Sequence, residues 1–250
     1  MLVVTGLAFE AAIARRCAGV DVLHGVGEAA ARALHARLES AGQRPHGIVS
    51  FGTAGALDPL YQPGDCLLAR AVLEQISSSA PASAGQIPAR GLQRQPVDAR
   101  WLERLAAALP EAASVDFAGS ATPVVSATQK HLLHVRTGAA AVDMESAALA
   151  RVAAAHGVPF IVCRVIIDRA SHTLPPAALA GMHADGSTRI LPVIASLLRH
   201  PAQLPSLLRL ARDAARARRA MTALMRLMPP AFGIDIGADS IVATHAGHSS

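Results

Sequence analysis

The sequence predicts a single-domain α/β fold, a mixed, mostly parallel β-sheet flanked by helices, and three observations support this. Phe160-Ile161-Val162-Cys163-Arg164-Val165-Ile166-Ile167 is a nearly unbroken β-branched run, the pattern of a parallel strand covered on both faces. Just before it, Ala148, Leu149, Val152 and Ala155 recur at helical spacing, and Gly157 with Pro159 stops that helix. At 250 residues the chain can bury one large core, and single α/β domains of this length are common.

In chain order, Leu2 to Gly6 reads as a buried strand and Ala8 to Arg16 as a helix with Glu10 in its first turn. Val20 to His24 is a short strand, Gly25-Val26-Gly27 a turn, and Glu28 to Ala41 a helix ended by Gly42. Gly25-x-Gly27-x-x-Ala30 formally matches the dinucleotide fingerprint of a Rossmann protein. The next strand, however, ends at Ser50-Phe51 without the acidic residue such a site uses. What the glycines do offer is close backbone approach for an anion at the start of the next helix. Gly47 to Phe51 is the third strand and delivers a loop, Gly52 to Leu57, where Thr53 and the flanking glycines suit a phosphate oxygen.

Cys66 to Ala69 reads as a strand, Ser77 to Gln95 as a Ser-, Ala-, Pro- and Gly-rich surface excursion, and Val97 to Leu109 as an amphipathic helix. Ala121 to Ser126 reads as a further strand, followed by Ala127-Thr128-Gln129-Lys130-His131. Glu145 opens the helix before the long run and Asp168 ends the run itself. Strand carboxyl ends are where open α/β sheets bind ligands, so Asp168 is a candidate for chemistry; a cap or turn is the plainer reading. For Glu145 and Asp143 the plainer reading is a favourable helix dipole.

The C-terminal part carries a basic amphipathic helix, 203–228, with Leu and Met on one side and Arg209, Arg212, Arg216 and Arg219 opposite. Such a helix packs on its domain or meets a membrane surface. Residues 229–250 read as a loosely held tail, leaving 1–228 as the domain. Hydrophobic residues make up 52% and charged ones 16%, which excludes a disordered chain. The net charge of +5 is modest and calls for no nucleic-acid partner. Three scattered cysteines without CxxC spacing suggest neither a disulfide framework nor a zinc site, and no metal is expected. Without a signal-like N-terminus or an apolar run of about 18 residues, the expectation is a cytoplasmic protein, peripheral at the membrane at most.

Val142-Asp143-Met144-Glu145-Ser146, followed by Arg164-Val165-Ile166-Ile167-Asp168, resembles the purine nucleoside phosphorylase and methylthioadenosine/S-adenosylhomocysteine nucleosidase superfamily. Its members carry V-E-M-E and R-x-x-S-D at this interval, and a G-S-A-G-G-L loop that Gly52-Thr53-Ala54-Gly55-Ala56-Leu57 resembles. The resemblance implies a nucleoside phosphorylase-like fold in a homo-oligomer acting on a small-molecule nucleoside. It implies that Glu145 binds the ribose hydroxyls with Met144 packed on the sugar. Asp168 would serve the purine ring nitrogen, and Thr128, Lys130 and His131 would line the base pocket.

The resemblance further implies a Gly25, Gly27, Gly52 and Thr53 cradle for inorganic phosphate as co-substrate, with no other cofactor. Ile167 departs from the family's Ser, removing a hydrogen bond that orients the acid. Glu10 falls one position short of the hydrolases' water-activating Glu, which aligns with Ala11, and this tilts the reading towards phosphate. Many phosphorylases carry an Arg where this chain has Ser50. The phosphate charge would then fall to Arg15, Arg16, His24 or Lys130. Leu174-Pro175-Pro176, Asp185-Gly186 and the Arg199 to Leu204 lead into the basic helix resemble most the hopanoid-associated phosphorylase branch, which implies phosphorolysis of adenosylhopane, a lipid-tailed nucleoside, with release of adenine. A nucleosidase hydrolysing methylthioadenosine-type substrates is the alternative, and a non-catalytic nucleotide-binding protein a further one.

Overall fold

The computed structural model describes residues 1–40, 42–77, 90–175 and 203–234. Its strands and helices are β1 (Leu2–Thr5), α1 (Ala8–Ala14), β2 (Asp21–His24), α2 (Gly27–Ser40), β3 (Ile48–Ala56), β4 (Cys66–Ser77), β5 (Arg90–Pro96), α3 (Ala99–Ala108), β6 (Ala113–Gly119), α4 (Ala127–Thr137), β7 (Ala141–Asp143), α5 (Ser146–His156), β8 (Phe160–Asp168) and α6 (Leu204–Leu227).

The sheet is mixed and mostly parallel. β1 pairs in parallel with β2 and β3, β3 with β8, β4 with β6, and β6 with β7. Only β3–β7, β4–β5 and β4–β8 are antiparallel. The pairings β3–β8–β4–β6–β7–β3 close a ring, so the sheet rolls into a barrel-like core from which β1, β2 and β5 extend. Alternation along the strands divides the apolar interior in two. Leu2, Val4, Val162 and Ile166 pack with Ala30 and Leu34 of α2 and Leu149 and Ala153 of α5. Val3, Ile161, Cys163 and Val165 face α1, α3 and α6.

Four sequence expectations are corrected. Gly52 to Ala56 is not a loop: β3 runs on through it, because small residues let neighbouring side chains close over the strand. Ala121 to Ser126 is not a strand. Ala121, Thr122 and Pro123 are exposed, Pro123 has no amide to give a ladder, and Ser126 instead caps α4 by accepting from Gln129 N at 3.1 Å. The strand lies earlier, at β6, where Val115 and Phe117 point inward. Within the expected surface excursion, residues 90–95 are paired in β5; residues 78–89 lie outside the described residues.

The fourth correction concerns the C-terminus. The inner stripe of α6, Ala217, Met221, Leu224 and Met225, is buried on the core, with Met228 continuing it, whereas Leu204 and Leu208 in the first turns are exposed. The chain then does not loosen at Pro229. Ala231 N donates to Ala18 O at 2.9 Å, Phe232 is wholly buried edge-on to Phe51, and its carbonyl accepts from Trp101 Nε1 at 2.7 Å. The tail expected over 235–250 lies outside the described residues, as do the features between 176 and 202 that pointed to the hopanoid branch. Phe232→Ala is expected to cost about 3–5 kcal/mol, the range for emptying a buried aromatic site. A urea-unfolding loss below about 1 kcal/mol would show that the segment does not help to hold the fold.

Candidate active site

The carboxyl ends of β1 and β7, the middles of β3 and β8 and the amino ends of α1, α2 and α5 converge on a buried cluster around Arg164. Its Nη2 donates to Glu145 Oε2 at 3.2 Å, to Ser50 Oγ at 2.7 Å and to Ser146 Oγ at 3.3 Å. Its Nε lies 3.1 Å from Asp143 Oδ2, an ion pair that is not aligned as a hydrogen bond. Asp143 caps α5: Oδ1 accepts from Glu145 N at 3.0 Å and Ser146 N at 2.7 Å, and Oδ2 from the Ser146 hydroxyl at 2.5 Å. Glu145 occupies the cap position but its side chain makes no cap hydrogen bond. Asp143 takes that duty, and Glu145 turns to Arg164 and to Gly27 N, which donates to Oε1 at 3.3 Å.

Glu10 reaches the same cluster from α1. Its Oε2 accepts from Gly6 N at 3.0 Å and Leu7 N at 2.9 Å, reaching back over the start of its own helix. Its Oε1 accepts from Thr53 N and Thr53 Oγ1, both at 2.8 Å. Gly52 permits the approach, since a Cβ there would sit 2.6 Å from Glu10 Oε2 and 2.5 Å from Arg164 Nη1. Burial pushes the Glu10 carboxyl upward, against Arg164 and the hydrogen bonds that favour the ion. Glu145 is raised to about 7, chiefly by burial, with Asp143 and Glu10 adding to it and Arg164 opposing.

Asp168 forms a second centre at the end of β8. The register with β3 shifts between Ala54 and Gly55, so that Gly55 opposes Asp168 and Ile167 becomes the extra residue of a bulge. The bulge sits where the resembled family has its orienting Ser, and a lysine does the orienting instead. Lys130, buried on the inner face of α4, ion-pairs with Asp168 Oδ2 and also donates to Arg169 O at 2.7 Å and His172 O at 3.1 Å. Burial raises the Asp168 carboxyl while Lys130 pulls it down. Lys130 is thus neither a solvated surface residue nor a phosphate ligand. Asp213 of α6 lies 3.5 Å from His172 Nδ1 and 3.9 Å from Arg169 Nε, linking α6 to this corner.

The other expected residues divide. Met144 is half-buried beside Glu145, whereas Thr128 and His131 are exposed on α4, so of those three helix positions only Lys130 turns inward. Three of the four residues expected to cradle phosphate have their donors engaged, Gly25 N on Thr5 O at 3.0 Å, Gly27 N on Glu145, and Thr53 N and Oγ1 on Glu10, while the fourth, Gly52, lies where Glu10 and Arg164 meet. Arg15, Arg16 and His24 are exposed, and the cation beside Thr53 is Arg164, whose Nη1 is 3.5 Å from Thr53 O. The motif from Arg164 to Asp168 implies a role for Asp168 and none for Arg164. A lone arginine in an otherwise apolar strand was the available signal, since a buried charge needs partners. The wide cleft lined by Met1, Asp21, Arg37 and Arg44 lies at the opposite end of β1 and contains none of these groups.

The phosphorylase superfamily family model matches residues 18–199. Among solved structures, the 5′-methylthioadenosine/S-adenosylhomocysteine nucleosidase of Neisseria meningitidis, bound to methylthio-immucillin-A, aligns with a TM-score of 0.61 at 16% identity over 90% of this chain and 96% of that one. The corresponding nucleosidase of Colwellia psychrerythraea, bound to adenine, aligns with a TM-score of 0.57 at 21% identity over 68% and 82%. Futalosine hydrolase of Helicobacter pylori aligns with a TM-score of 0.58 at 18% identity over 89% and 96%. No curated protein matches the chain.

The cluster fixes a pH-dependent stability. Glu145, raised from 4.5 to about 7, holds a proton in the folded chain that the unfolded chain releases, so its contribution is full below about pH 4.5 and is lost as pH rises through about 7. Arg164→Met leaves buried carboxylates without their counter-charge and is expected to destabilise by roughly 3–5 kcal/mol. Because those carboxyls can then be accommodated only when protonated, the loss should be larger near about pH 8 than near about pH 5 in chemical denaturation. An equal loss at both would show that Arg164 does not balance them.

Proposed function

The chain belongs to the phosphorylase superfamily, and from that membership we propose that it cleaves the N-glycosidic bond of a 5′-substituted adenosine, releasing adenine, with water as the nucleophile. The observation that carries the choice of water is the Glu10 carboxylate held on Thr53 N and Oγ1. An anion already occupies the donors that a phosphate would use, and two anions side by side in a buried site repel. This reverses the expectation drawn from alignment alone, in which Glu10 stood one position out of place.

The chemistry asks for three things. As the C1′–N9 bond breaks, positive charge grows on the ribose and the electron pair leaves with the purine. Glu10 takes a proton from water as the water oxygen bonds to C1′. Four donors fill the lone pairs of its carboxylate, and the Thr53 hydroxyl is the one that can rotate away to admit that water. Glu145 accepts from the ribose hydroxyls with Met144 against the sugar. Asp168 supplies the proton that purine N7 gains, and the Lys130 ammonium beside it holds the carboxylate that remains.

Phosphorolysis of a lipid-tailed adenosine such as adenosylhopane is the second reading. It draws on the exposed Arg209, Arg212, Arg216 and Arg219 of α6, a face suited to anionic headgroups. No helix among the described residues is long and apolar enough to cross a membrane.

Adenine release from methylthioadenosine and from a 5′-alkyl adenosine, with and without phosphate, tests the proposal. Equal rates are expected; a rate that requires phosphate would select the second reading. Glu10→Gln and Asp168→Asn should each lower the rate by roughly 10²–10⁴-fold, the usual worth of a positioned acid or base, in protein that keeps the wild-type circular dichroism spectrum although its unfolding midpoint falls with the loss of buried partners. Because Glu145 must be ionised to accept the ribose hydroxyls and is raised to about 7, the acid limb of kcat/KM should fall near neutrality. An acid limb at about pH 4–5, the ordinary carboxylate range, would take Glu145 out of that role.

A further inference from the structure

We propose that His35, Glu39 and His156 form a binding site for a divalent transition-metal ion of the zinc, nickel or cobalt class, joining α2 to α5. His35 Nδ1 lies 3.0 Å from His156 Nε2, Glu39 Oε1 lies 3.7 Å from the same nitrogen, and one ligand atom from each residue falls within a 4.8 Å set. His35 and Glu39 are one turn apart on α2 and so share a face, while His156 stands in the last turn of α5, just before Gly157 ends that helix.

The two imidazoles meet edge to edge, with centroids 5.1 Å apart and planes tilted by 58°. Facing nitrogens of two neutral rings share one proton. A metal held at about 2.0–2.1 Å from each nitrogen needs them roughly 3.3 Å apart, a few tenths of an ångström more than here. Two imidazoles and one carboxylate suit ions of the zinc class and not calcium or magnesium, which take oxygen. Glu39 is largely open to solvent, with 63% of its side chain exposed, which gives an ion a path in and leaves positions for water.

The site is separate from the carboxylates proposed to cleave substrate. Glu10 and Asp168 belong to α1 and β8, while Glu145 sits at the amino ends of the same two helices, roughly 12–16 Å away along the axes. There Gly27 N of α2 meets Glu145 at the head of α5. A metal at the far ends would tie together the two helices that carry that contact.

Zinc titration of the untagged full-length chain by calorimetry tests the site, with the other histidines and the three cysteines controlled by comparing wild type with H35A/H156A and with E39Q. Wild type is expected to bind one zinc ion that H35A/H156A binds at least about tenfold more weakly, with E39Q in between. Zinc should raise the unfolding midpoint of wild type and not that of H35A/H156A, while the two proteins unfold alike in chelator. Equal zinc affinity in wild type and H35A/H156A, or no uptake by wild type at millimolar zinc, would overturn the proposal. Should H35A/H156A fail to fold, the same comparison with E39Q and H156Q decides in the same way.

Discussion

Arg164, buried in the middle of β8, faces Asp143, Glu145 and Glu10 together, and without it the ends of β7, α5 and α1 would bring three carboxylates into the interior with no counter-charge. Each acid also carries a local task that fixes it in place. Asp143 caps α5, Glu145 holds Gly27 at the head of α2, and Glu10 reaches back over the start of α1 and across to β3. The guanidinium therefore does more than neutralise: it sets where four elements end relative to one another. Ser50 and Ser146, 3.0 Å apart, add their hydroxyls to the same network, and Gly52 keeps the space that lets Arg164 and Glu10 meet. Three acids around one cation leave an excess of carboxyl groups. That excess, with burial, is why Glu145 sits near neutrality in its titration.

Much of this was legible in the sequence. The β-branched run to Asp168, the glycine and proline that stop α5 and the Leu2 start all follow from period and from stop signals. Glu145 and Asp168 stood out because they lie at element ends. What was not legible came from tertiary contact. Glu10 looked out of register by counting, yet a glutamate side chain is long enough to reach Thr53 across the chain from α1. Lys130 read as a base-pocket residue or a phosphate cation because nothing in its neighbours along the chain shows that Asp168 will be its partner. Ala121 to Ser126 has strand-like composition, and what defeats it is a proline, exposure and the competing duty of Ser126 as a cap. Arg164 was visible as a charge in an apolar strand, but its partners come from four other elements, α1, β3, β7 and α5.

In the proposed reaction two centres divide the work. Around Arg164 the groups are anionic or engaged with anions, which suits the sugar hydroxyls, the growing positive charge and a water. At the end of β8, Asp168 is paired with Lys130, burial raising its carboxyl and the ammonium opposing that rise. The bulge at Ile167 turns Asp168 toward Gly55 and into reach of α4, so the loss of the family's serine is compensated by a change of partner. α6 closes the structure by packing its Met stripe on β8 and by bringing Asp213 to Arg169 and His172, whose carbonyls hold Lys130.

The claim on which the account turns is that Glu10 delivers water to the sugar in place of phosphate. Reaction of methylthioadenosine in isotopically labelled water containing phosphate, with the sugar product analysed by mass spectrometry, addresses it directly. The account predicts free methylthioribose carrying the label at C1′ and no sugar phosphate. Methylthioribose 1-phosphate as the product would contradict it.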